Sequence, residues 1–138
     1  MAFTFKKIDH VGVCVADIDQ AAENYLSALG LVAVDRELVA SQKTDVCFLR
    51  FPDGGGDASV ELISPQGNDG LEKFLTKRGA GLHHVAFEVE DIVQALAELK
   101  EKGVALIDET PRIGARGHKV AFIHPKAMGG VLVELVQH

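Results

Sequence analysis

Residues 7–15 alternate between apolar and other side chains, which is the period of a β-strand. One face carries Val11, Val13 and Val15, and the other carries His10, Gly12 and Cys14. Successive side chains of a strand point to opposite sides of a sheet. The stretch therefore predicts a half-buried strand with a histidine on its second face.

A helix is predicted directly after this strand, where the apolar spacing changes to three and four residues. Asp17 can cap the first turn, and Gln20 completes a capping box. Gly30 marks the end, because glycine readily adopts the left-handed backbone that terminates helices. The apolar residues at helical spacing are Ile18, Ala21, Ala22, Tyr25 and Leu29.

Further strands and a second helix complete the predicted order of elements. Three strand-like stretches near 31–37, 45–51 and 58–64 make the first half β-α-β-β-β. The second half repeats this order, with a strand at 82–90, a helix between Asp91 and Gly103, and strands near 104–107, 118–124 and 130–136. A short helix near 70–77 is predicted to link the halves. The run Gly54, Gly55 and Gly56 lacks a following Lys-Ser/Thr, so it predicts a hairpin loop and not a phosphate cradle.

The two halves are copies of one unit. Ile8-Asp9-His10-Val11 returns as Leu82-His83-His84-Val85, Val46-x-Phe48 returns as Val120-x-Phe122, and Val60-Glu61-Leu62 returns as Val133-Glu134-Leu135. Such self-similarity indicates a supersecondary unit that was built twice. We therefore expect one domain over residues 1–138, made of βαβββ repeats at about 5–65 and 80–138. The expected class is α+β, with a curved mixed sheet around a metal-containing cleft.

Strand parity places four polar residues on one face of the predicted sheet: His10, Glu61, His84 and Glu134. Two imidazoles and two carboxylates suit a divalent ion of intermediate hardness, such as Co, Ni, Mn, Zn or Fe. Four protein ligands leave positions open for substrate, which favours a catalytic ion over a structural one. His83 competes with His84, but the repeat aligns His84 with His10 and puts His83 on the helix-packed face.

Composition limits the remaining choices. The chain has 138 residues, a net charge of −6 and two cysteines, Cys14 and Cys47. The negative charge argues against nucleic acid as a partner, and no apolar run is long enough for a membrane span. Residues 1–8 do not have the features of a signal peptide. So few cysteines fit a reduced, cytoplasmic protein.

Four longer stretches resemble a known family. They are Ile8-Asp9-His10-Val11-Gly12, Gly81-Leu82-His83-His84-Val85-Ala86-Phe87, Pro111-Arg112-Ile113-Gly114 and the segment from His124-Pro125-Lys126 through Gly129-Gly130 to Val133-Glu134-Leu135. Together with the doubled unit, they are similar to the methylmalonyl-CoA epimerases of the vicinal oxygen chelate superfamily. The last two stretches are the specific ones, because glyoxalase I shares the His and Glu ligands.

The resemblance implies a reaction and roles for individual residues. The family interconverts (2R)- and (2S)-methylmalonyl-CoA by moving the proton at C2, while a divalent ion stabilises the enolate. Glu134 would be ligand and general base, with Glu61 or Asp45 as the second acid. The cationic side chains that bind the CoA phosphates would be Arg112, Arg116, Lys119 and Lys126. The alternative interpretation is that these four residues form a solvated surface patch. The resemblance also implies a homodimer and an acyl-CoA partner.

Other members of the superfamily give the alternatives. Glyoxalase I uses the same ligands, but it tends to carry Asp-Pro-Asp-Gly where this chain has His124-Pro125-Lys126. A metal-free binding protein of the antibiotic-resistance type would leave four coincident ligands unexplained. An extradiol dioxygenase would leave Glu61 without a role.

Overall fold

The computed structural model describes residues 5–53 and 58–138. Its eight strands run from β1 (Phe5–Cys14) through β2 (Val32–Val39), β3 (Thr44–Arg50), β4 (Ser59–Pro65), β5 (Gly81–Val89), β6 (Arg112–Ile113) and β7 (Lys119–Ile123) to β8 (Val133–Gln137). Its helices are α1 (Ile18–Leu29), α2 (Asp69–Arg78) and α3 (Ile92–Glu101). The predicted loop at Gly54, Gly55 and Gly56 lies outside the described residues.

The chain divides into two compact units. The amino-terminal unit spans His10–His83, and the carboxyl-terminal unit combines His84–His138 with the part of β1 up to Asp9. Both units contain parallel and antiparallel strand pairs together with helix. This confirms the expected α+β class. None of the described helices is long and apolar enough to cross a membrane.

In the amino-terminal unit, β1 pairs with β4 in parallel, and β3 lies antiparallel between β4 and β2. Helix α1 begins as predicted, because the Asp17 carboxylate accepts a hydrogen bond from the Gln20 amide at 3.0 Å. It ends at Gly30, whose φ of 76° is left-handed. The helix packs on the sheet over a buried apolar core of Val15, Ile18, Leu31, Cys47, Leu49 and Leu62.

The carboxyl-terminal unit repeats this arrangement. Strand β5 pairs with β8 in parallel, and β7 lies antiparallel between β8 and β6. Asp91 caps α3 by accepting from the Gln94 amide at 3.1 Å. The core beneath α3 consists of Val89, Ile92, Ala95, Leu96, Ala121, Ile123, Val133 and Leu135.

The strand predicted near 104–107 is the main error of the sequence-based elements. In the structure only Leu106 forms an isolated bridge, to Ile123, and the short edge strand is β6 instead. Val104 and Leu106 still pack on the core of the carboxyl-terminal unit. The apolar pattern was therefore a sign of burial, which does not require a regular hydrogen-bonded ladder.

Candidate functional site

The first predicted ligand pair lies on adjacent parallel strands of the amino-terminal unit. His10 on β1 and Glu61 on β4 are 4% and 7% exposed, and His10 Nε2 is 3.4 Å from Glu61 Oε1. Glu61 on β4 is paired in the strand register with Gly12 of β1, and Gly12 lies two residues after His10 on that strand. Gly12 has no side chain to separate the imidazole from the carboxylate.

The second pair reproduces this geometry in the carboxyl-terminal unit. His84 on β5 and Glu134 on β8 are 5% and 8% exposed, and His84 Nε2 is 3.6 Å from Glu134 Oε1. Glu134 stands beside Ala86, which is the repeat mate of Gly12. The repeat therefore preserves the two ligand types and also the small residue that lets them approach.

A phenylalanine packs against each predicted histidine ligand. The rings of His10 and Phe48 meet edge-to-face with centroids 5.7 Å apart, and those of His84 and Phe122 do so at 5.9 Å. Phe48 pairs across the ladder with Glu61, and Phe122 pairs with Glu134. Sequence reasoning assigned these aromatic residues no role, although the repeat of Val46-x-Phe48 as Val120-x-Phe122 marked them.

The distances within both pairs suit metal ligation. At 3.4 and 3.6 Å they exceed a strong charge-assisted hydrogen bond, which is about 2.7–2.9 Å long. Two ligands about 2.0–2.2 Å from one ion are separated by roughly 3 Å or slightly more. Buried imidazole and carboxylate donors of this kind are typical of sites for first-row divalent ions. Each pair is thus chemically able to supply two ligands.

His83, the competing histidine, lies elsewhere. Its ring packs edge-to-face on Phe74 of α2, with the centroids 5.1 Å apart. This contact with a helix agrees with the predicted helix-packed face. His83 therefore has a packing role within the amino-terminal unit.

Asp45, considered as a second acid, is clamped by an arginine. Arg36 donates from Nε to Asp45 Oδ1 at 3.1 Å and from Nη2 to Oδ2 at 2.8 Å. These hydrogen bonds are the main reason that the pKa of Asp45 lies below its usual value. A carboxylate stabilised in its ionised form is a weaker base, so this geometry favours Glu61 over Asp45 as the second acid.

The four predicted CoA-binding cations all lie in the carboxyl-terminal unit. Arg112 belongs to β6 and Lys119 to β7, whereas Arg116 and Lys126 lie in short 3₁₀ turns beside β7. The Arg112 guanidinium lies 5.6 Å from the centroid of Phe122, the ring that contacts His84. Arg112 and the predicted ligand His84 therefore contact the same aromatic ring, that of Phe122.

Comparison with known proteins identifies the class. Residues 9–122 match the Glyoxalase/Bleomycin resistance protein/Dioxygenase superfamily, so the chain belongs to this superfamily. The resemblance inferred from the sequence is confirmed.

Within that class the chain is similar to methylmalonyl-CoA epimerases. It is 37% identical over 134 residues to the ethylmalonyl-CoA/methylmalonyl-CoA epimerase of Cereibacter sphaeroides, covering 95% of this chain and 97% of the relative. The crystal structure of methylmalonyl-CoA epimerase from Mycobacterium tuberculosis matches with a TM-score of 0.89 and 38% identity, over 96% of this chain and 88% of that one. A methylmalonyl-CoA epimerase in complex with methylmalonyl-CoA and NH4+ matches with a TM-score of 0.90 and 33% identity, over 97% and 95% of the two chains.

Proposed function

We propose that this chain is a methylmalonyl-CoA epimerase that moves the C2 proton of its substrate. The observation that carries the proposal is the pair of buried His–Glu couples, repeated in a chain that is similar to epimerases over nearly its whole length. The glyoxalase I alternative is less favoured, because the relatives described above are epimerases.

We further propose that His10, Glu61, His84 and Glu134 together hold one divalent ion. The donor set of two imidazoles and two carboxylates is compatible with Co, Ni, Mn, Zn or Fe, and it does not select among them. Such an ion supplies positive charge that lowers the cost of forming an enolate. The small residues Gly12 and Ala86 and the packed rings of Phe48 and Phe122 support this role, because they fix where the donors can lie.

Proton transfer is assigned to the two glutamates of the couples. Glu134 removes the C2 proton from one face of the substrate, and Glu61 returns a proton from the other. Glu61 and Glu134 are buried, with 7% and 8% of each residue exposed, and exclusion of bulk water would protect a carbanionic carbon from unselective protonation. Asp45 is the weaker candidate for the second acid because Arg36 holds its carboxylate ionised.

The acyl-CoA partner is expected to use the cations around β6 and β7. Arg112, Arg116, Lys119 and Lys126 would pair with its phosphates, which prefer guanidinium and ammonium donors. Their positions along one short segment support this assignment. Among the four cations, Arg112 is the strongest candidate for a phosphate contact near the proposed metal site, because it also contacts Phe122.

We also propose that the chain forms a homodimer and works in the cytoplasm. Strands β2 and β6 each have only one strand neighbour among the described residues, and edges of this kind favour a homodimer. Cys14 and Cys47 are free and buried, as expected for a chain that works in the reducing cytoplasm.

The deciding experiment is isotope exchange in deuterated water. Metal-loaded protein incubated with methylmalonyl-CoA should place deuterium at C2 and equilibrate the (2R) and (2S) forms. A parallel incubation with methylglyoxal and glutathione should give no turnover. The epimerase assignment is wrong if C2 keeps its proton while the hemithioacetal is isomerised.

A further inference from the structure

A second group of potential metal ligands lies within the carboxyl-terminal unit. It consists of Asp9 on β1, Glu88 on β5 and His138 directly after β8. One donor atom from each residue lies within 4.8 Å of the others. None of these three residues takes part in the function proposed above.

His138 reaches both carboxylates of this group. Its Nε2 is 2.6 Å from Asp9 Oδ1, and its Nδ1 is 3.8 Å from Glu88 Oε2. Asp9 and Glu88 come from different strands, so the fold brings two carboxylates to one imidazole. Mutual repulsion between like charges makes this placement costly unless a cation or donor lies between them.

The three side chains differ in exposure in a way that suits an ion-binding site. The side chains of Asp9 and Glu88 are 12% and 8% exposed, whereas that of His138 is 39% exposed. The two carboxylates therefore lie at the nearly buried inner end of the group, and the imidazole lies towards solvent.

The orientation of the His138 ring is set by a neighbouring residue. His118 stacks on it with ring centroids 4.2 Å apart and an interplanar angle of 17°. This stack holds the imidazole plane while leaving its edge, which carries both nitrogens, directed at the carboxylates. Metal-ligating imidazoles are commonly oriented by a hydrogen bond from the second ring nitrogen, and here the stacked ring of His118 restricts the imidazole plane instead.

Glu88 also has ammonium neighbours, which any bound cation must replace. Lys6 Nζ and Lys7 Nζ lie 3.6 and 3.9 Å from its carboxylate oxygens, and their side chains are 52% and 35% exposed. Both nitrogens lie beyond hydrogen-bond distance of Glu88, and both lysine side chains can turn into solvent. A divalent ion carries twice the charge of an ammonium group, so it can replace these lysines at the carboxylate.

We propose that Asp9, Glu88 and His138 form a second, weaker divalent-metal site of the Zn²⁺ type. Two carboxylate oxygens and one imidazole nitrogen are a donor set that Zn²⁺ accepts, with remaining positions open to water. Ligands of a tetrahedral Zn²⁺ ion are roughly 3.3 Å apart, so the contact between His138 and Asp9 would lengthen and any wider donor separation would shorten. A bound ion would replace the hydrogen bond between His138 and Asp9. The loss of this hydrogen bond makes the ion bind more weakly here than at a four-ligand site.

The test titrates Zn²⁺ into protein that has first been dialysed against a chelator. The parent chain should bind two ions, a tight one and a weaker one. His84→Ala should bind only the weaker ion, and His138→Ala only the tight one. Glu88→Gln should weaken the second ion by at least about tenfold, and the exposed His124→Ala serves as control because it should leave both ions in place.

The outcomes separate this site from the one under the proposed function. A parent chain that binds one ion, lost in His84→Ala and kept in His138→Ala, overturns the second site and leaves the first standing. If the parent chain binds one ion that His138→Ala loses and His84→Ala keeps, the second site stands and the site under the proposed function is overturned. Circular dichroism of each variant identifies any that has failed to fold, and Glu88→Gln then provides the independent measurement.

Discussion

The two units carry the same pair of proposed ligands but differ at their outer strands. Nε2–Oε1 distances of 3.4 and 3.6 Å, a small residue beside each glutamate and a phenylalanine against each histidine occur in both. The outer strand β2, however, has eight residues, whereas β6 has two. The repeat is thus preserved at the proposed ligands and altered at the outer strand that carries a proposed phosphate-binding residue, Arg112.

The cations around the outer strands show what this difference does. In the amino-terminal unit Arg36 on β2 is bound by the carboxylates of Asp45 and Asp19. In the carboxyl-terminal unit Arg112 on β6 lies over Phe122 and 3.3 Å from Asp108. Arg36 is therefore paired with two carboxylates of the protein. The side chain of Arg112 is half exposed and retains an accessible guanidinium face.

The largest expected effect tests the equivalence of the two couples. His84→Ala and His10→Ala should each abolish retention of the tightly bound ion and, with it, epimerisation. Each change removes a buried nitrogen ligand that no neighbouring group replaces. Metal content after dialysis against a chelator, measured by mass spectrometry, is the readout.

The control for this prediction is the adjacent histidine. His83→Ala removes a ring that packs on Phe74 and should largely spare the ion. Full occupancy in His84→Ala, or loss in His83→Ala alone, would contradict the ligand assignment.

The next largest effect should separate the two glutamates. Glu134→Gln removes a base and a negative ligand, while its amide oxygen can still coordinate. Isotope exchange at C2 should fall by about 10²–10⁴-fold, the usual contribution of general base catalysis. Metal affinity should fall much less.

Glu61→Gln is the matched variant from the other couple. If Glu61 is the second acid, deuterium exchange from one face should persist while interconversion of the (2R) and (2S) forms is lost. Near-normal exchange in Glu134→Gln at saturating metal would assign the base to another residue.

A smaller effect is expected at Arg112. Arg112→Ala should raise the KM for methylmalonyl-CoA by about tenfold and leave kcat nearly unchanged, because one charge-assisted contact to phosphate contributes about 1.5 kcal/mol or more. The change should shrink as salt is added. Lys100→Ala, which removes an exposed cation that pairs with Glu109 in the same unit, is the control. Equal KM values for both variants would indicate that Arg112 is only part of a solvated surface.

The approach of each histidine to its glutamate could be predicted from the sequence because it depends on local rules. Alternation along a strand places His10 and His84 on a face, and the repeat pairs each with a glutamate. Likewise, the cap at Asp17 and the stop at Gly30 are short-range signals, and both are confirmed.

Features that depend on register could not be predicted in this way. Arg36 reaches Asp45 diagonally across the β2–β3 ladder, where Leu38 is the direct partner of Asp45. The approach of His138 to Asp9 also requires strands far apart in the sequence. In both cases residue type gave no signal, because the contact depends on which residues face one another after the sheet has formed.

The Arg36–Asp45 clamp should affect stability more than activity. Since the pKa of Asp45 is lowered in the folded state, its contribution to stability is present above the unfolded pKa, near about 3.9, and is lost as pH falls through the folded value. Asp45→Asn should therefore reduce the free energy of unfolding at pH 7 by about 0.5–1 kcal/mol, as expected for a partly exposed pair that solvent screens. Urea unfolding at pH 7 and at pH 3 should show the difference narrowing at the lower pH. A large loss of C2 exchange in this variant would restore Asp45 as a catalytic candidate.

The smallest effect is expected where the copies differ inside the core. Cys14 occupies the repeat position of Glu88, and burial raises the pKa of its thiol to about 11. The thiolate is the reactive form, so Cys14 should resist alkylation at pH 8 in the folded protein and react readily in urea. Mass spectrometry after brief iodoacetamide treatment measures this, with Cys47, whose pKa burial also raises, as the internal comparison. Rapid labelling of Cys14 alone in the folded protein would show that its strand opens to solvent.

Because ionisation of the thiol is easier in the unfolded chain, any stability that the Cys14 thiol contributes should be lost only as pH rises from about 9 towards 11.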